Sequence, residues 1–180
     1  AENGEQINKI SKNLSSVDFA SVNKLGSICI ETDSIQHHIN AVLDLPLVNV
    51  ELIKNRGLTA VVDGVNSSGS IAIPKLLEAL GVTVVPIHCD PNGDFPHNPE
   101  PLAQHLTDLS EAVVKHNADL GIAVDPDVDR LVFMDEHGIL FGEEYTLVAC
   151  ADYVLRQHPG NTVSNLSSTR ALAEVTRQYG

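Results

Sequence analysis

Tryptophan is absent from these 180 residues, and aromatic residues make up only 4% of them. Any core must therefore be aliphatic. A hydrophobic content of 43% against 19% charged residues can supply one, and that balance excludes wholesale disorder. Basic residues are scarce: 11 Lys+Arg stand against 24 Asp+Glu, a formal net charge of 11 − 24 = −13. Nucleic acids and anionic membrane surfaces are bound by clustered Lys/Arg, so neither is expected as a partner. The acidic surplus suits a protein that gathers divalent cations. Cysteine is also sparse, with Cys29, Cys89 and Cys150 about sixty residues apart and no C-x-x-C pair. Such a count offers no disulfide framework and no zinc site, and it predicts small buried hydrophobes in a reducing compartment. No run approaches the roughly 18 apolar residues that span a bilayer. The opening Ala1-Glu2-Asn3-Gly4-Glu5-Gln6 has neither a basic patch nor an apolar signal core. The expected location is cytoplasmic.

What is present is organised as alternating helix and strand patterns. Ile7, Ile10 and Leu14 recur at helical spacing in a polar opening that lacks a methionine and reads as the continuation of something longer. Ser27-Ile28-Cys29-Ile30 is a strand candidate. Ile35, Ile39, Val42 and Leu43 predict a helix with Ser34 as N-cap, ended by Pro46. Leu58–Val62, the turn Asp63–Ser70, a helix through Pro74–Leu80 stopping at Gly81, and Val82–Ile87 form a βαβ unit with parallel strands. A rigid Pro-rich loop spans Cys89–Pro101, and a helix covers Leu102–Asn117. Two further strands, Ala118–Val124 and Leu131–Met134, flank an acidic loop, with a turn at His137-Gly138. A helix from Glu143 to about Gln157, a strand near Thr162-Val163, a Ser-rich loop and a helix from Ser168 complete the chain. The fold class is α/β, a mainly parallel or mixed sheet flanked by helices.

The most informative residues are Asp125-Pro126-Asp127-Val128-Asp129-Arg130. Three carboxylates within five residues repel one another unless a cation sits among them. Carboxylate-only ligation is hard-oxygen chemistry that selects Mg²⁺ or Ca²⁺. Three carboxylates and one dication sum to −1, and Arg130 at the rim offers a bidentate fork for phosphate. The carboxyl end of a strand in an α/β sheet is where such folds bind ligands. Two other readings compete, a solvated Asp-rich turn and an EF-hand calcium loop. Counted from Asp125, the first, third, fifth and twelfth positions (Glu136) match an EF-hand. The sixth, however, is Arg130 where a sharp-turn Gly belongs, and the flanks are strand-like.

Asp-x-Asp-x-Asp-Arg after Gly121-Ile122-Ala123-Val124 resembles the metal-binding loop of the α-D-phosphohexomutases. That superfamily includes phosphomannomutases, phosphoglucomutases and phosphoglucosamine mutases; many members carry Gly where this chain has Pro126. Val61–Ser70 resembles the strand and loop that open the family's second domain, and Asp90–Pro101 resembles its Pro-rich loop. Gly142–Tyr145 and Ser164–Arg170 resemble the start of its third domain. The resemblance implies residues 1–30 as the tail of a preceding domain and linker, 31–141 as a metal-loop α/β domain, and 142–180 as the start of the next. It further implies transfer of phosphate between C1 and C6 of a hexose phosphate through a phosphoserine and a hexose bisphosphate. In that reading Asp125, Asp127 and Asp129 hold Mg²⁺ and Arg130 contacts phosphate. The nucleophilic serine of the family's Ser-His-Asn-Pro segment is absent, since Pro96 precedes His97-Asn98-Pro99. The isolated fragment is then expected to be inactive. The alternative is a non-catalytic calcium- or magnesium-binding or scaffold domain.

Three further features are weighed on their residues. Gly64–Ser70 nearly spells a Walker A loop but lacks its Lys, so a tight strand-to-helix connection is favoured over a nucleotide site. His97 is a candidate substrate contact, with a structural histidine in a rigid loop favoured. Arg170, near a helix start where a phosphate could dock, is a second substrate candidate against a solvated helix arginine. Glu143 and Glu144 at a helix start are explained by the helix dipole.

Overall fold

The structure, a computed structural model, describes residues 2–16 and 19–179, the side chains of Glu2, Ser16 and Glu143 excepted. The chain divides into two compact units, Ala1–Thr32 and Asp33–Gly180. In the first, α1 (Glu2–Lys12) carries Ile7 and Ile10 on its surface, and Leu14 lies beyond it in a short 3-10 turn. The strand expected at Ser27–Ile30 does not form. Ile28 and Ile30 are 94% and 88% exposed, and among the described residues no strand pairs with them, so β propensity there has nothing to pack on.

The second unit is an α/β layer structure. Its elements in order are α2 (Ser34–Leu43), α3 (Val50–Arg56), β1 (Thr59–Asp63), α4 (Gly69–Ala79), β2 (Thr83–Ile87), α5 (Thr107–His116), β3 (Leu120–Val124), β4 (Leu131–Met134), α6 (Glu143–Gln157) and α7 (Ala171–Tyr179). The sheet order is β2-β1-β3-β4, with β1 parallel to β2 and β3, and β3 antiparallel to β4. Asp33, not Ser34, is the N-cap of α2. The sequence pattern missed α3, a two-turn helix capped by the Asn49 side chain accepting from the Leu52 N–H and closed by Gly57 at φ 62°. The long helix expected over 102–117 is broken at Leu106, leaving a 3-10 turn before α5. No strand forms at Thr162-Val163, and α7 begins three residues later than Ser168.

β1 is central and buried on both faces, which is why it reads as a continuous apolar run. Val61 joins Leu109, Val113, Ala123, Val132 and Met134 on the α5 face, whereas Ala60 and Val62 join Val82 and Ile122 on the other, beside Ile73 and Leu77 of α4. Gly121 sits under α5, where a Cβ would stand 2.8 Å from Val113 Cγ2, so only glycine lets helix and strand approach this closely. The crossover from β1 to β2 thus packs on one face and that from β2 to β3 on the other. The order 2-1-3 makes the boundary between β1 and β3 a topological switch point, the place where open α/β sheets form a crevice beyond their strand ends. Of the cysteines expected to be buried, Cys29 and Cys150 are exposed and only Cys89 is half-buried. Among the described residues, no helix is long and apolar enough to cross a membrane.

Candidate functional site

Two segments leave the carboxyl ends of β1 and β3 at that crevice. From β3 the chain passes into Asp125–Arg130, where Asp125 is 6% exposed and Asp127 and Asp129 are exposed. One oxygen from each of the three lies within 4.8 Å of the others. The loop is held in a costly conformation. Val128, a β-branched residue, sits at φ 61°, a left-handed backbone that such side chains rarely adopt. Asp125 Oδ1 accepts from the Arg130 N–H at 3.0 Å, closing the loop on itself.

The segment after β1 secures this geometry. Ser67 and Ser68 both donate to the Pro126 carbonyl, at 2.8 and 2.7 Å. Gly69 opens α4 directly against β3, since a Cβ there would lie 2.4 Å from Val124 Cγ2. Asn66, at φ 53°, binds the Pro-rich loop: its side chain accepts from Asp90 N–H at 3.0 Å and donates to the Asp94 carbonyl at 2.9 Å. The near-Walker sequence is therefore a clamp on the aspartate loop. Sequence reading took it for a turn and missed what the turn holds; the two adjacent serines were the available signal.

The electrostatics follow from the crowding. Burial alone would raise the Asp125 carboxyl, but the Arg130 backbone N–H and hydrogen bonds with Asp129 and Asp127 outweigh it and its pKa falls below the ordinary value. Asp129 moves the other way, raised by its hydrogen bond with Asp125 and by repulsion from Asp127 and Asp125. Arg130 Nη1 donates to Glu100, whose hydrogen bond and charge push the guanidinium pKa up further. Its Nε lies 4.0 Å from Asp125 Oδ2 and 3.9 Å from Asp129 Oδ1. Three oxygen donors so close together fit a hard dication such as Mg²⁺ or Ca²⁺, and the EF-hand reading fails because the flanks are β3 and β4, not helices.

The remaining candidates fall elsewhere. His97 Nε2 lies 3.0 Å from Asp63 Oδ2 and its Nδ1 2.8 Å from the Asn98 carbonyl, so both ring nitrogens face groups of the fold. Arg170 is exposed immediately before α7. Asp63 itself, 1% exposed at the end of β1, pairs with His97 across 34 residues, a contact that its sequence context in a turn did not reveal.

A family model described as phosphoglucomutase/phosphomannomutase, alpha/beta/alpha domain II, matches residues 36–138. A phosphoglucomutase/phosphomannomutase of Thermococcus kodakarensis is 38% identical over 169 residues, covering 92% of this chain and 36% of that protein. A phosphomannomutase/phosphoglucomutase of Pseudomonas aeruginosa is 30% identical over 179 residues, covering 98% and 37%. The crystal structure of a phosphoglucomutase/phosphomannomutase family protein from Burkholderia thailandensis superposes with a TM-score of 0.77 at 29% identity, covering 98% of this chain and 37% of that one. The chain thus spans a little over a third of the length of the relatives it matches.

Proposed function

This chain belongs to the phosphoglucomutase/phosphomannomutase family, and from that premise we propose that it is the magnesium-holding portion of a hexose-phosphate mutase. The parent enzyme would transfer a phosphoryl group between the C1 and C6 oxygens of a hexose phosphate in the cytoplasm, through a phosphoserine and a hexose bisphosphate. Residues 31–141 would be its metal-loop domain, with 1–30 and 142–180 belonging to its neighbours. The phosphoserine would be carried outside these 180 residues.

One observation carries the reading: three aspartate oxygens converge within 4.8 Å beyond β3, at the switch point of the sheet. Asp125, Asp127 and Asp129 would hold Mg²⁺, which supplies charge neutralisation for phosphoryl oxygens as a loose transition state develops. The charges support this. Three carboxylates and one dication leave −1, and Arg130 brings the loop to neutrality before any phosphate arrives. Its planar fork suits two phosphate oxygens, and in the fold it donates to Glu100 of the Pro-rich loop. Ser67, Ser68 and Gly69 fix the loop beforehand, so no reorganisation is needed when charge moves.

Titration of the 180-residue protein and of Asp127→Asn with Mg²⁺ and with Ca²⁺, beside an assay of hexose-phosphate interconversion, tests the proposal. The chain is expected to bind Mg²⁺ through the aspartates and to show no turnover by itself. Absence of Mg²⁺ binding, binding that survives Asp127→Asn undiminished, or mutase turnover by the isolated chain would each defeat it.

A further inference from the structure

A second cluster of ligand-type side chains lies apart from the aspartate loop. Asp63 ends β1, His88 follows β2, and His97 comes from the Pro-rich loop; one ligand-capable atom of each lies within 4.8 Å of the other two. The His88 and His97 rings meet edge to face with centroids 5.3 Å apart. Asp63 is almost wholly buried, whereas the His97 and His88 side chains keep 17% and 22% of their surface exposed. The cluster is closed on the sheet side and open toward solvent.

The hydrogen bonding sharpens the point. A carbonyl oxygen can only accept, so the contact between His97 Nδ1 and the Asn98 carbonyl at 2.8 Å fixes the proton on Nδ1. In a neutral ring that leaves a lone pair on Nε2, which stands 3.0 Å from the Asp63 carboxylate. Two acceptors face each other at that separation, with a second imidazole beside them. Either a second ring proton, giving an imidazolium–carboxylate pair, or a bound cation resolves the contact, and the second imidazole beside it favours the cation. Asp63 Oδ1 is already committed to the Val65 N–H at 3.0 Å, which orients the carboxylate and directs Oδ2 at the rings. His88 Nε2 is 3.1 Å from Asp108 Oδ2, a further carboxylate on the outer side. Histidine ligands that pass their other ring nitrogen to a carbonyl or carboxylate are the usual surroundings of a bound transition metal.

We propose that Asp63, His88 and His97 form a binding site for a borderline transition-metal dication of the Zn²⁺ class, distinct from the hard-cation site of the aspartate loop. Two imidazoles and one carboxylate suit that class over Mg²⁺ or Ca²⁺, and three protein ligands leave a fourth position for water on the open side. The site ties the carboxyl ends of β1 and β2 to the Pro-rich loop, and that loop carries Glu100, the partner of Arg130. Its effect is to fix the rim of the crevice. Counting cysteines could not reveal it, because its donors are scattered over 34 residues and contain no thiol.

The test is a Zn²⁺ titration of the intact chain, followed by calorimetry and, with Co²⁺ as probe, by visible absorption. Wild type and Asp127→Asn are expected to bind one equivalent alike, while His88→Gln and His97→Gln lose at least about tenfold in affinity. Zn²⁺ should also raise the unfolding midpoint of wild type and leave those of the histidine variants unmoved. Ring-nitrogen NMR of wild type needs no variant: His97 Nε2 should shift as Zn²⁺ is added. Zn²⁺ binding lost in Asp127→Asn but kept in the histidine variants would overturn the proposal. So would a His97 ring protonated on both nitrogens and indifferent to Zn²⁺, which would assign the cluster to an imidazolium–carboxylate pair.

Discussion

The Arg130 guanidinium donates to Glu100, thirty residues away in the Pro-rich loop, while only its backbone N–H donates to the aspartate loop, at Asp125. Its Nε remains 3.9–4.0 Å from Asp129 and Asp125, close enough to lower the potential that draws a dication to them. Removing that charge should therefore strengthen metal binding even as it removes a phosphate contact. Arg130→Ala is expected to raise Mg²⁺ affinity several-fold in calorimetry at low salt, an effect that shrinks as salt screens the exposed guanidinium. Glu100→Gln should do the opposite, because the guanidinium then has only the aspartates to pair with. Identical affinities in all three proteins would show that Arg130 is electrostatically disengaged from the loop.

The aspartates predict a pH dependence whose two parts have opposite signs. Asp125 has a lowered pKa in the fold, so the stability it contributes is present above its unfolded value and is lost as pH falls through the folded one. Asp129 has a raised pKa, so it favours the fold below its unfolded value, and that contribution is lost as pH rises through the folded one. Mg²⁺ needs both ionised. Its affinity should begin to fall, on acidification, at a higher pH than an unperturbed aspartate near about 3.9 would dictate. Mg²⁺ titrations across pH 4–7, roughly the range where aspartates finish ionising, check this. Asp129→Asn should bind less tightly and lose the upper part of the dependence.

Ser67 and Ser68 share one acceptor, the Pro126 carbonyl, so their contributions overlap. Each single alanine variant should cost about 0.5–1 kcal/mol in denaturant unfolding, and the double variant should cost more than the sum because the carbonyl then loses both protein donors. Mg²⁺ affinity should drop most in the double variant. An additive, stability-neutral pair would mean that water replaces the hydroxyls without loosening the loop.

Much of this organisation was legible in the sequence because it rests on local rules. The β1–α4–β2 unit follows from an apolar β-branched run, a Gly-rich turn and a Gly81 stop, and the aspartate loop announces itself by charge density between two strands. What escaped reading depends on contacts distant in sequence. The Ser27–Ile30 segment has strand residues but no partner strand among the described residues, and α3 is too short for its periodicity to stand out. Asp63 and His97 meet over 34 residues, and Glu100 reaches Arg130 over thirty, separations that no local pattern encodes. The sheet is expected as mainly parallel or mixed, and it is mixed because of its last strand, β4. That strand is antiparallel because only six residues, the aspartate loop itself, separate it from β3, too few for a parallel crossover.

Gly69 is where backbone packing and site geometry meet. It opens α4, and a Cβ on it would stand 2.4 Å from Val124 Cγ2 and 3.6 Å from Val128 Cγ2. Val124 is 2% exposed at the end of β3, held by the core, and immediately precedes Asp125, so it cannot give way cheaply. In Gly69→Ala the helix start must retreat instead, carrying the Ser68 hydroxyl away from the Pro126 carbonyl. The expected cost is about 1–3 kcal/mol in denaturant unfolding, together with a several-fold loss of Mg²⁺ affinity although no ligand is touched. Val124→Ala frees the space that the new methyl group needs. It should be destabilising alone yet restore Mg²⁺ affinity when combined with Gly69→Ala, a favourable coupling measurable in a double-mutant cycle. Strict additivity of the two substitutions would place the loss outside this contact.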